Sequence, residues 1–273
     1  TGVQTCALPI YIFIILFLTN NQFMNKKIKR LFFDIETSPN IGMFWSSGYK
    51  LNIPHESIIQ ERAIICICYK WAGEKEIHSL TWDKNQNDKK LLEQFIKIAN
   101  EADEIVGHNG DKFDLPWVRT RCLYHNISMF PNYVTIDTLK QARSKFKFNS
   151  NKLDYIATFL GIGYKLSTGF SLWKNIVLNK DEKALQSMVK YCKKDVELLE
   201  KVYNRLSTYL PAKTHHGILI GNEKHSCPEC GSYDMKFSKK RISALGTAKI
   251  QLQCKKCGKY STISEKTYND NIS

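Results

Sequence analysis

The chain has 273 residues, and 43% of them are hydrophobic, which is enough for a packed core and excludes a wholly disordered protein. There are 40 Lys and Arg against 26 Asp and Glu, giving a net charge of +14 and a pI near 9.3. This excess favours a polyanionic partner, although a coding bias toward lysine would give the same composition. The nine cysteines come without a credible secretory signal, so we do not expect a disulfide scaffold.

The first 23 residues are expected to lie outside the natural fold. Their apolar run, residues 10–18, is nine residues long, whereas a membrane span needs roughly 20. The basic stretch that precedes a signal-peptide core is missing here. We therefore expect Met24 to be the initiator and residues 1–23 to be upstream read-through, with a signal or anchor helix as the alternative.

Hydrophobic periodicity predicts strands and helices between residues 28 and 210. Leu91, Leu92, Phe95 and Ile96, for example, recur at the spacing of one helix face. The predicted strands are 28–35, 63–71, 76–82, 104–107 and 134–136, and the clearest predicted helices are 88–100, 113–124, 153–160 and 181–209. Early strands followed by alternating helix and strand indicate a mixed α/β sheet with helices packed on it.

Composition also predicts where the domains end. Residues 24–210 form the predicted α/β domain, and residues 211–224, with their glycines and paired histidines, are expected to be a linker. Residues 225–264 form a separate module that contains two Cys-x-x-Cys pairs, and residues 265–273 form a polar tail.

Asp34 and Glu36 stand two residues apart near the end of the first predicted strand. The period of a strand places both carboxylates on one face while Ile35 turns into the core. Like charges at this distance raise each other's pKa unless a cation neutralises them, so the pair favours a metal site. Taken alone, the same pattern also fits two solvated acids at a strand end.

Two further acidic elements follow along the chain. Asn109 opens a loop that leads to Phe113 and Asp114 at the start of a predicted helix. Tyr191 and Asp195 are four residues apart on a later helix, so they share one face. Considered separately, Asn109 would be a turn residue and Asp114 an acid in the first turn of a helix. Tyr191 and Asp195 would be a solvated pair.

The three elements, in this order, resemble the motifs of the DEDD-type 3′–5′ exonucleases of the ribonuclease H-like superfamily. Phe33 to Thr37 resembles the Asp-x-Glu-Thr strand, Asn109 to Asp114 the Asn-x-x-x-Phe/Tyr-Asp motif, and Tyr191 to Asp195 the Tyr-x-x-x-Asp motif of the tyrosine subclass. The histidine subclass would have His at position 190, where this chain has Lys190. The resemblance covers about residues 29–209 and implies a ribonuclease H-like mixed β-sheet flanked by helices.

The resemblance also implies how each residue acts. Asp34 would bridge two Mg²⁺ or Mn²⁺ ions, Glu36 and Asp195 would complete one site, and Asp114 would support the other, partly through water. Tyr191 would orient the attacking water or help to deprotonate it, and orientation is favoured because a free phenol, with a pKa near 10, stays protonated at neutral pH. The residues expected to bind substrate are Thr37, Asn109 and Phe113. Asp137 is open to two interpretations, a supporting acid or a helix cap, and the aromatic residues Phe44, Trp45 and Tyr49 either stack on terminal bases or cover the core.

The two Cys-x-x-Cys pairs predict one structural zinc ion. The ligands would be Cys227, Cys230, Cys254 and Cys257, with 23 residues between the pairs. Residues 236–240 and 248–252 suit the strands of a small zinc ribbon. Its many lysines and interspersed aromatic residues suit phosphates and stacked bases, but a solvated surface that only stabilises the C-terminus explains them too. We expect no functional role for Cys66, Cys68, Cys122 and Cys192.

These observations predict a metal-dependent 3′–5′ exonuclease that acts on nucleic acid, with single-stranded or frayed DNA 3′ ends favoured over RNA. The alternatives are a structure-specific endonuclease on the same fold and a nucleic-acid-binding protein without catalysis. We expect neither a membrane nor an obligate protein partner, and the expected location is the cytoplasm of a bacterium or of a phage-infected cell.

Overall fold

A computed structural model of the chain describes residues 28–48, 52–166 and 168–272. The predictions for residues 1–23 and for Tyr49 lie outside these ranges. The chain divides into two compact units. The larger unit is Lys29–Leu206, and the smaller contains Ser207–Ser273 with Ile28.

The larger unit is built on a five-stranded mixed sheet with strand order β5-β4-β1-β6-β7. β1 pairs antiparallel with β4 and parallel with β6, while β5 and β7 form the two edges. A two-stranded ladder, β2 with β3, lies apart from this sheet. The strands are β1 Arg30–Thr37, β2 Ile41–Gly42, β3 Ile58–Gln60, β4 Ile64–Trp71, β5 His78–Thr81, β6 Glu104–Gly107 and β7 Thr135–Asp137.

Helices follow the strands and cover the sheet. They are α1 Lys89–Asn100, α2 Asp114–Tyr124, α3 Thr138–Lys145, α4 Leu153–Phe159, α5 Phe170–Asn179 and α6 Glu182–Leu206. The predicted mixed α/β fold is thus confirmed, and most predicted elements lie within a few residues of those observed. Across the described ranges, no helix is long and apolar enough to cross a membrane.

The two faces of β1 have different neighbours because successive side chains of a strand point in opposite directions. Leu31, Phe33 and Ile35 belong to the hydrophobic core under α1 and α2, where the ring of Phe33 stacks on that of Phe95 at 5.2 Å. The alternate residues face α6. Phe32, for example, makes an edge-to-face contact with Tyr203 of α6 at 5.5 Å. Asp34 and Glu36 therefore lie on the α6 face of the sheet.

Asp88, which is fully buried just before α1, ties three elements of this unit together. Its carboxylate accepts hydrogen bonds from the Ile64 backbone of β4 at 2.9 Å and from two guanidinium nitrogens of Arg121 in α2, each at 2.8 Å. His125 Nε2 lies 2.7 Å from the same carboxylate. Burial works to raise the pKa of Asp88, but the hydrogen bonds outweigh it, and the net pKa is lowered.

The smaller unit is a three-stranded antiparallel sheet of order β10-β9-β8 with short helices. Its core combines the four clustered cysteines with Met235, Ile250 and Leu252. The elements are α7 His216–Leu219, β8 Met235–Ile242, β9 Ala248–Cys254, β10 Tyr260–Ser264 and α8 Glu265–Asn271.

The structure differs from the sequence interpretation in two segments of the smaller unit. The segment expected as a linker contains α7, and its His216 backbone N–H donates to the Pro228 carbonyl oxygen at 2.8 Å. The expected polar tail forms α8, which is capped by Ser264, whose hydroxyl accepts from the Thr267 N–H at 3.0 Å. Neither helix was predicted from the sequence, because hydrogen bonds, and not a periodic pattern of apolar residues, fix their ends.

Replacing Asp88 with Asn is expected to lower the free energy of unfolding of the larger unit by about 3–5 kcal/mol, because buried Arg121 loses its counter-charge. Guanidinium unfolding followed by tryptophan fluorescence measures this unit, since the five tryptophans all lie between residues 45 and 173. The control is Glu101→Gln, which breaks the exposed pair with Lys29 and should cost less than about 1 kcal/mol. Equal losses in the two variants would contradict the structural role of Asp88.

Candidate functional site

Strand β1 and helix α6 bring three of the predicted acids together. Carboxylate oxygens of Asp34, Glu36 and Asp195 lie within 4.8 Å of one another. Tyr191 stands one turn before Asp195 on the same face of α6, and both side chains are buried. The spacing of two in a strand and of four in a helix thus lets two distant segments contribute to one point.

Asp114 lies beside this group but not within it. It is the first residue of α2 and is buried, and its Oδ1 accepts a hydrogen bond from the Ile35 N–H of β1 at 3.1 Å. Its charge contributes to the raised pKa of Asp34, so the two carboxylates interact. The fourth predicted acid is therefore adjacent to the other three and is held in place by the backbone of β1.

The loop before Asp114 is fixed by Asp137. The Asp137 carboxylate caps α3 by accepting from Leu139 and Lys140, and it also accepts from the Asn109 N–H at 3.0 Å. Asn109 has a left-handed φ of 71°, a conformation that Asn tolerates better than most residues. Of the two interpretations of Asp137, the helix cap is thus the one observed, and Asn109 is a turn residue in this geometry. Substrate binding by Asn109 stays a prediction.

Burial is the largest cause of a raised pKa at all four acids, and at Asp34 and Glu36 the charges of the neighbouring site acids add to it. Burial is the largest cause at Glu36, and it raises the pKa from 4.5 to about 8. It likewise raises the pKa of Asp114 to about 7 and the pKa of Asp195 above its ordinary range. The pKa of Asp34 is raised well above its usual value by burial and then by the charges of its three acidic neighbours. Glu36 therefore retains its proton near neutral pH until a cation replaces it.

Lys165 is a site residue that the sequence interpretation missed. Its Nζ lies 2.7 Å from Asp195 Oδ2 and 4.6 Å from the centre of the Tyr191 ring. Burial opposes the charge of Lys165, but the hydrogen bonds and charges of Asp195 and Tyr191 raise the pKa of the ammonium group, which is charged at neutral pH. Lys165 lies in an irregular segment after α4, where neither periodicity nor a motif marks it.

The acidic group fits a hard divalent cation. Its donors are carboxylate oxygens, the ligands that Mg²⁺ and Mn²⁺ prefer. Asp195 Oδ1 is buried and has no hydrogen-bond donor among the described residues, so one oxygen of this carboxylate is free to bind a cation. The raised pKa values of Asp34 and Glu36 point the same way, because burial and then the charges of neighbouring acids disfavour the free carboxylates, and a bound cation would offset both effects.

A family model described as the RNase_H superfamily matches residues 31–207. The chain belongs to the RNase_H superfamily. Two curated relatives are DNA polymerases, one from Thermococcus litoralis, 30% identical over 107 residues, and one from Thermococcus aggregans, 29% identical over 107 residues. Each match covers 36% of this chain and 5% of the polymerase, so the chain spans about 5% of the length of these relatives.

A similar solved structure is that of the family B DNA polymerase from the archaeon Pyrobaculum calidifontis. The superposition has a TM-score of 0.52 and covers 80% of this chain and 31% of the polymerase. Sequence identity is 14%, so this likeness concerns the fold alone.

Two of the acids in this RNase_H superfamily domain, Asp34 and Asp195, line a cleft of about 700 Å³. A third acid, Asp154, and three basic side chains, Arg143, Lys152 and Lys165, line it with them. The cleft thus combines carboxylates that suit a cation with cations that suit phosphate oxygens.

A second depression, of about 320 Å³, lies beside Glu36 and is lined by aromatic residues. It brings together Thr37 and Phe113, two of the predicted substrate-binding residues, with Phe170 and Trp173. The Trp173 indole N–H donates to the Thr37 carbonyl oxygen at 3.1 Å and so fixes one wall. Phe44 and Trp45, by contrast, are exposed and do not cover the core.

The four predicted zinc ligands also converge, in the smaller unit. The Cys227 and Cys257 sulfurs are 3.6 Å apart, as are those of Cys230 and Cys254. The two Cys-x-x-Cys pairs form equivalent turns, each closed by a hydrogen bond from a glycine N–H to the carbonyl oxygen of the first cysteine at 2.9 Å. Those glycines, Gly231 and Gly258, have positive φ, as this turn requires. The arrangement suits one tetrahedral zinc ion.

The stability of the metal-free protein should fall as the pH rises from about 5 to about 8. A carboxyl whose pKa is raised in the folded state contributes stability below its unfolded pKa and loses it as the pH rises through the folded value, here from 4.5 to about 8 for Glu36. Thermal unfolding at several pH values measures this slope, and added Mg²⁺ should restore stability at the upper end.

Two variants test whether Glu36 is a source of that slope. Glu36→Gln should reduce both the slope and the effect of Mg²⁺, because it removes the titrating group and a cation ligand. Glu197→Gln, on α6 but paired with Lys194 and Lys201, should leave both unchanged. A slope in Glu36→Gln as steep as that of the unsubstituted protein would contradict the assignment.

Proposed function

We propose that the protein is a metal-dependent nuclease that hydrolyses phosphodiester bonds as a 3′–5′ exonuclease of the DEDD type, tyrosine subclass. The observation that carries this proposal is the convergence of Asp34, Glu36 and Asp195, with Asp114 adjacent, at a cleft of an RNase_H superfamily domain that also presents basic side chains. The order of the motifs and the presence of Tyr191 support the subclass.

Two Mg²⁺ or Mn²⁺ ions would be held by these carboxylates, with Asp34 shared, Glu36 and Asp195 completing one site and Asp114 supporting the other. When bound about 4 Å apart, such ions stabilise the attacking and leaving oxygens of an in-line displacement. The charges of all three other acids contribute to the raised pKa of Asp34, and this interaction with each of them suits the shared position.

Tyr191 orients the attacking water and does not remove its proton. Burial raises the pKa of the phenol above its ordinary value of 10.0, so the hydroxyl stays protonated at neutral pH. Lys165 has a supporting role. Its contact with Asp195 Oδ2 fixes that carboxylate and leaves Oδ1 to face a cation. Its position in the cleft also places a positive charge near an incoming phosphate.

The cleft and the second depression, both beside the acids, suit a single strand that enters by its end. Arg143 and Lys152 in the cleft would contact backbone phosphates. Phe113, Phe170 and Trp173 in the second depression would stack on terminal bases. The curated relatives are DNA polymerases, which favours DNA over RNA as the substrate.

Replacing Asp195 with Asn should lower the turnover number on single-stranded DNA by more than about 100-fold, since even residues that support a metal ligand typically account for 10–100-fold. The fold should persist, because the substitution preserves shape and relieves repulsion. The measurement is Mg²⁺-dependent digestion of a 3′-labelled and a 5′-labelled strand, with Glu197→Gln as the matched acidic variant on the same helix.

The same experiment separates the alternatives. An exonuclease of the proposed polarity releases the 3′ label first and leaves a circular single strand intact. Cleavage of the circle would favour the endonuclease, and substrate that is retarded in a gel but left intact with Mg²⁺ and with Mn²⁺ would favour a binding protein without catalysis. Full activity of Asp195→Asn would remove the basis of the metal assignment.

We also propose that the smaller unit is a zinc ribbon that binds the substrate backbone. Cys227, Cys230, Cys254 and Cys257 would hold the zinc ion, and strand β8 exposes nearly all of its side chains. The exposed residues of this unit include Lys236, Lys239, Arg241, Tyr233 and Phe237, a mixture suited to phosphates and bases.

The double variant Lys236→Ala/Lys239→Ala should weaken binding to single-stranded DNA and leave the turnover number unchanged. Each lost phosphate contact should also reduce the slope of log Kd against log salt by roughly 0.7. Fluorescence anisotropy at several salt concentrations measures both effects. Lys90→Ala/Lys97→Ala removes the same charge from the exposed face of α1. An equal effect of the two double variants would show that only net charge matters.

A further inference from the structure

Three buried cysteines converge in the larger unit, separate from the four-cysteine cluster. Cys66 and Cys68 lie on β4 and Cys192 lies on α6, and their sulfur atoms are all within 4.8 Å of one another. All three residues are fully buried. A hydrophobic core needs no such convergence of sulfur atoms from two elements, so the cluster calls for its own explanation.

The sheet register explains how the thiols come to lie beside the acids. Cys68 is opposite Asp34 and Cys66 is opposite Glu36 in the β1–β4 pair. Residues opposite each other on neighbouring strands point to the same face, so thiols and carboxylates form two adjoining patches beneath α6. Cys192 completes the thiol patch because it follows Tyr191 in α6.

An oxygen of Asp34 lies at the edge of this thiol patch. The Cys192 thiol donates to the Asp34 carbonyl oxygen at 3.4 Å, and its sulfur is 3.6 Å from the Asp34 Oδ2. The Asp34 Oδ2 thus lies beside one of the three sulfurs and is a candidate for a fourth donor. Four such donors from protein make a closed tetrahedral zinc site with no position left for water.

The spacing of the sulfurs also suits zinc. Zinc–sulfur bonds of about 2.3 Å in a tetrahedron place sulfurs about 3.8 Å apart. The four-cysteine cluster of the smaller unit has two such separations of 3.6 Å. In the three-cysteine cluster the separations are at most 4.8 Å, so shifts of about 1 Å or less would form the site.

We propose that Cys66, Cys68 and Cys192 bind a Zn²⁺ ion, with Asp34 as the fourth ligand. Thiolates select zinc over the hard cations that suit the neighbouring carboxylates, so the two patches differ in their preferred metal. Because Asp34 borders both patches, zinc here would draw on a carboxylate that the hydrolytic site also needs. The zinc site itself does not depend on nuclease activity, and only its effect on cleavage rests on the proposed function.

Zinc content of the full chain tests this site. The protein is prepared with zinc and dialysed against excess Mg²⁺, so that the oxygen-only site holds magnesium, and zinc is then counted by elemental analysis. We expect two zinc ions per chain, one in each cysteine cluster. Cys192→Ser should retain one, whereas Cys122→Ser, a buried cysteine of α2 on the other face of the sheet, should retain two. One zinc per chain without substitution, or two in Cys192→Ser, would overturn the proposal.

A cobalt titration of the unsubstituted chain decides the question should Cys192→Ser fail to fold. Co²⁺ bound to thiolates gives a sulfur-to-metal absorption that carboxylate sites lack. An absorption that increases in two steps, each complete at one further Co²⁺ ion per chain, supports a second thiolate site. An absorption that stops increasing after one Co²⁺ ion per chain contradicts it. Neither measurement involves cleavage, so two zinc ions per chain support the zinc site whatever the activity. The nuclease is contradicted separately, by a chain that holds only the zinc of the four-cysteine cluster and cuts no nucleic acid with Mg²⁺ or Mn²⁺.

Discussion

The convergence of Asp34, Glu36 and Asp195 under α6 is the constraint on which the rest of the structure depends. Like charges within 4.8 Å of one another favour protonation or a bound cation, and the pKa values of Asp34 and Glu36 are raised by burial and then by this repulsion. Lys165 neutralises one oxygen of Asp195 and leaves the other without a donor among the described residues. Under the proposed function, the basic character of the chain is the counterpart of this cluster, because the acids alone would repel a polyanionic substrate.

The site is as rigid as the hydrophobic core behind it, because one strand serves both. Phe33 and Ile35 are packed under α1 and α2, and they hold the alternating acids of β1 in place. The Ile35 N–H also holds the Asp114 carboxylate, so the start of α2 and the acidic face of β1 cannot move independently. A substitution in this core therefore affects the positions of the acids even where the substituted residue contacts none of them.

The spacing of residues within single strands and helices made the fold and most of the candidate site predictable. It did not reveal which residues of different elements are in contact. A separation of two in a strand and of four in a helix defines a shared face, and the resemblance of the three motifs indicated that those faces meet. Lys165 was missed because its segment has no periodicity. Asp88 was missed because its partner Arg121 belongs to a different element, and the cysteine cluster was missed because only the β1–β4 register and α6 bring its members together.

The position of Asp34 has a consequence for any two cations that occupy the adjoining patches. If thiols and carboxylates each bind a metal through this one side chain, the two equilibria are linked, and each ion must weaken the other by the same factor. The carboxylate patch favours Mg²⁺ and the thiol patch favours zinc. The relative concentrations of the two metals would therefore determine which ion Asp34 binds. If the proposed nuclease and the proposed zinc site are both correct, a single carboxylate shared between chemically different ligand sets would be sufficient to couple hydrolysis to zinc supply without a change of fold.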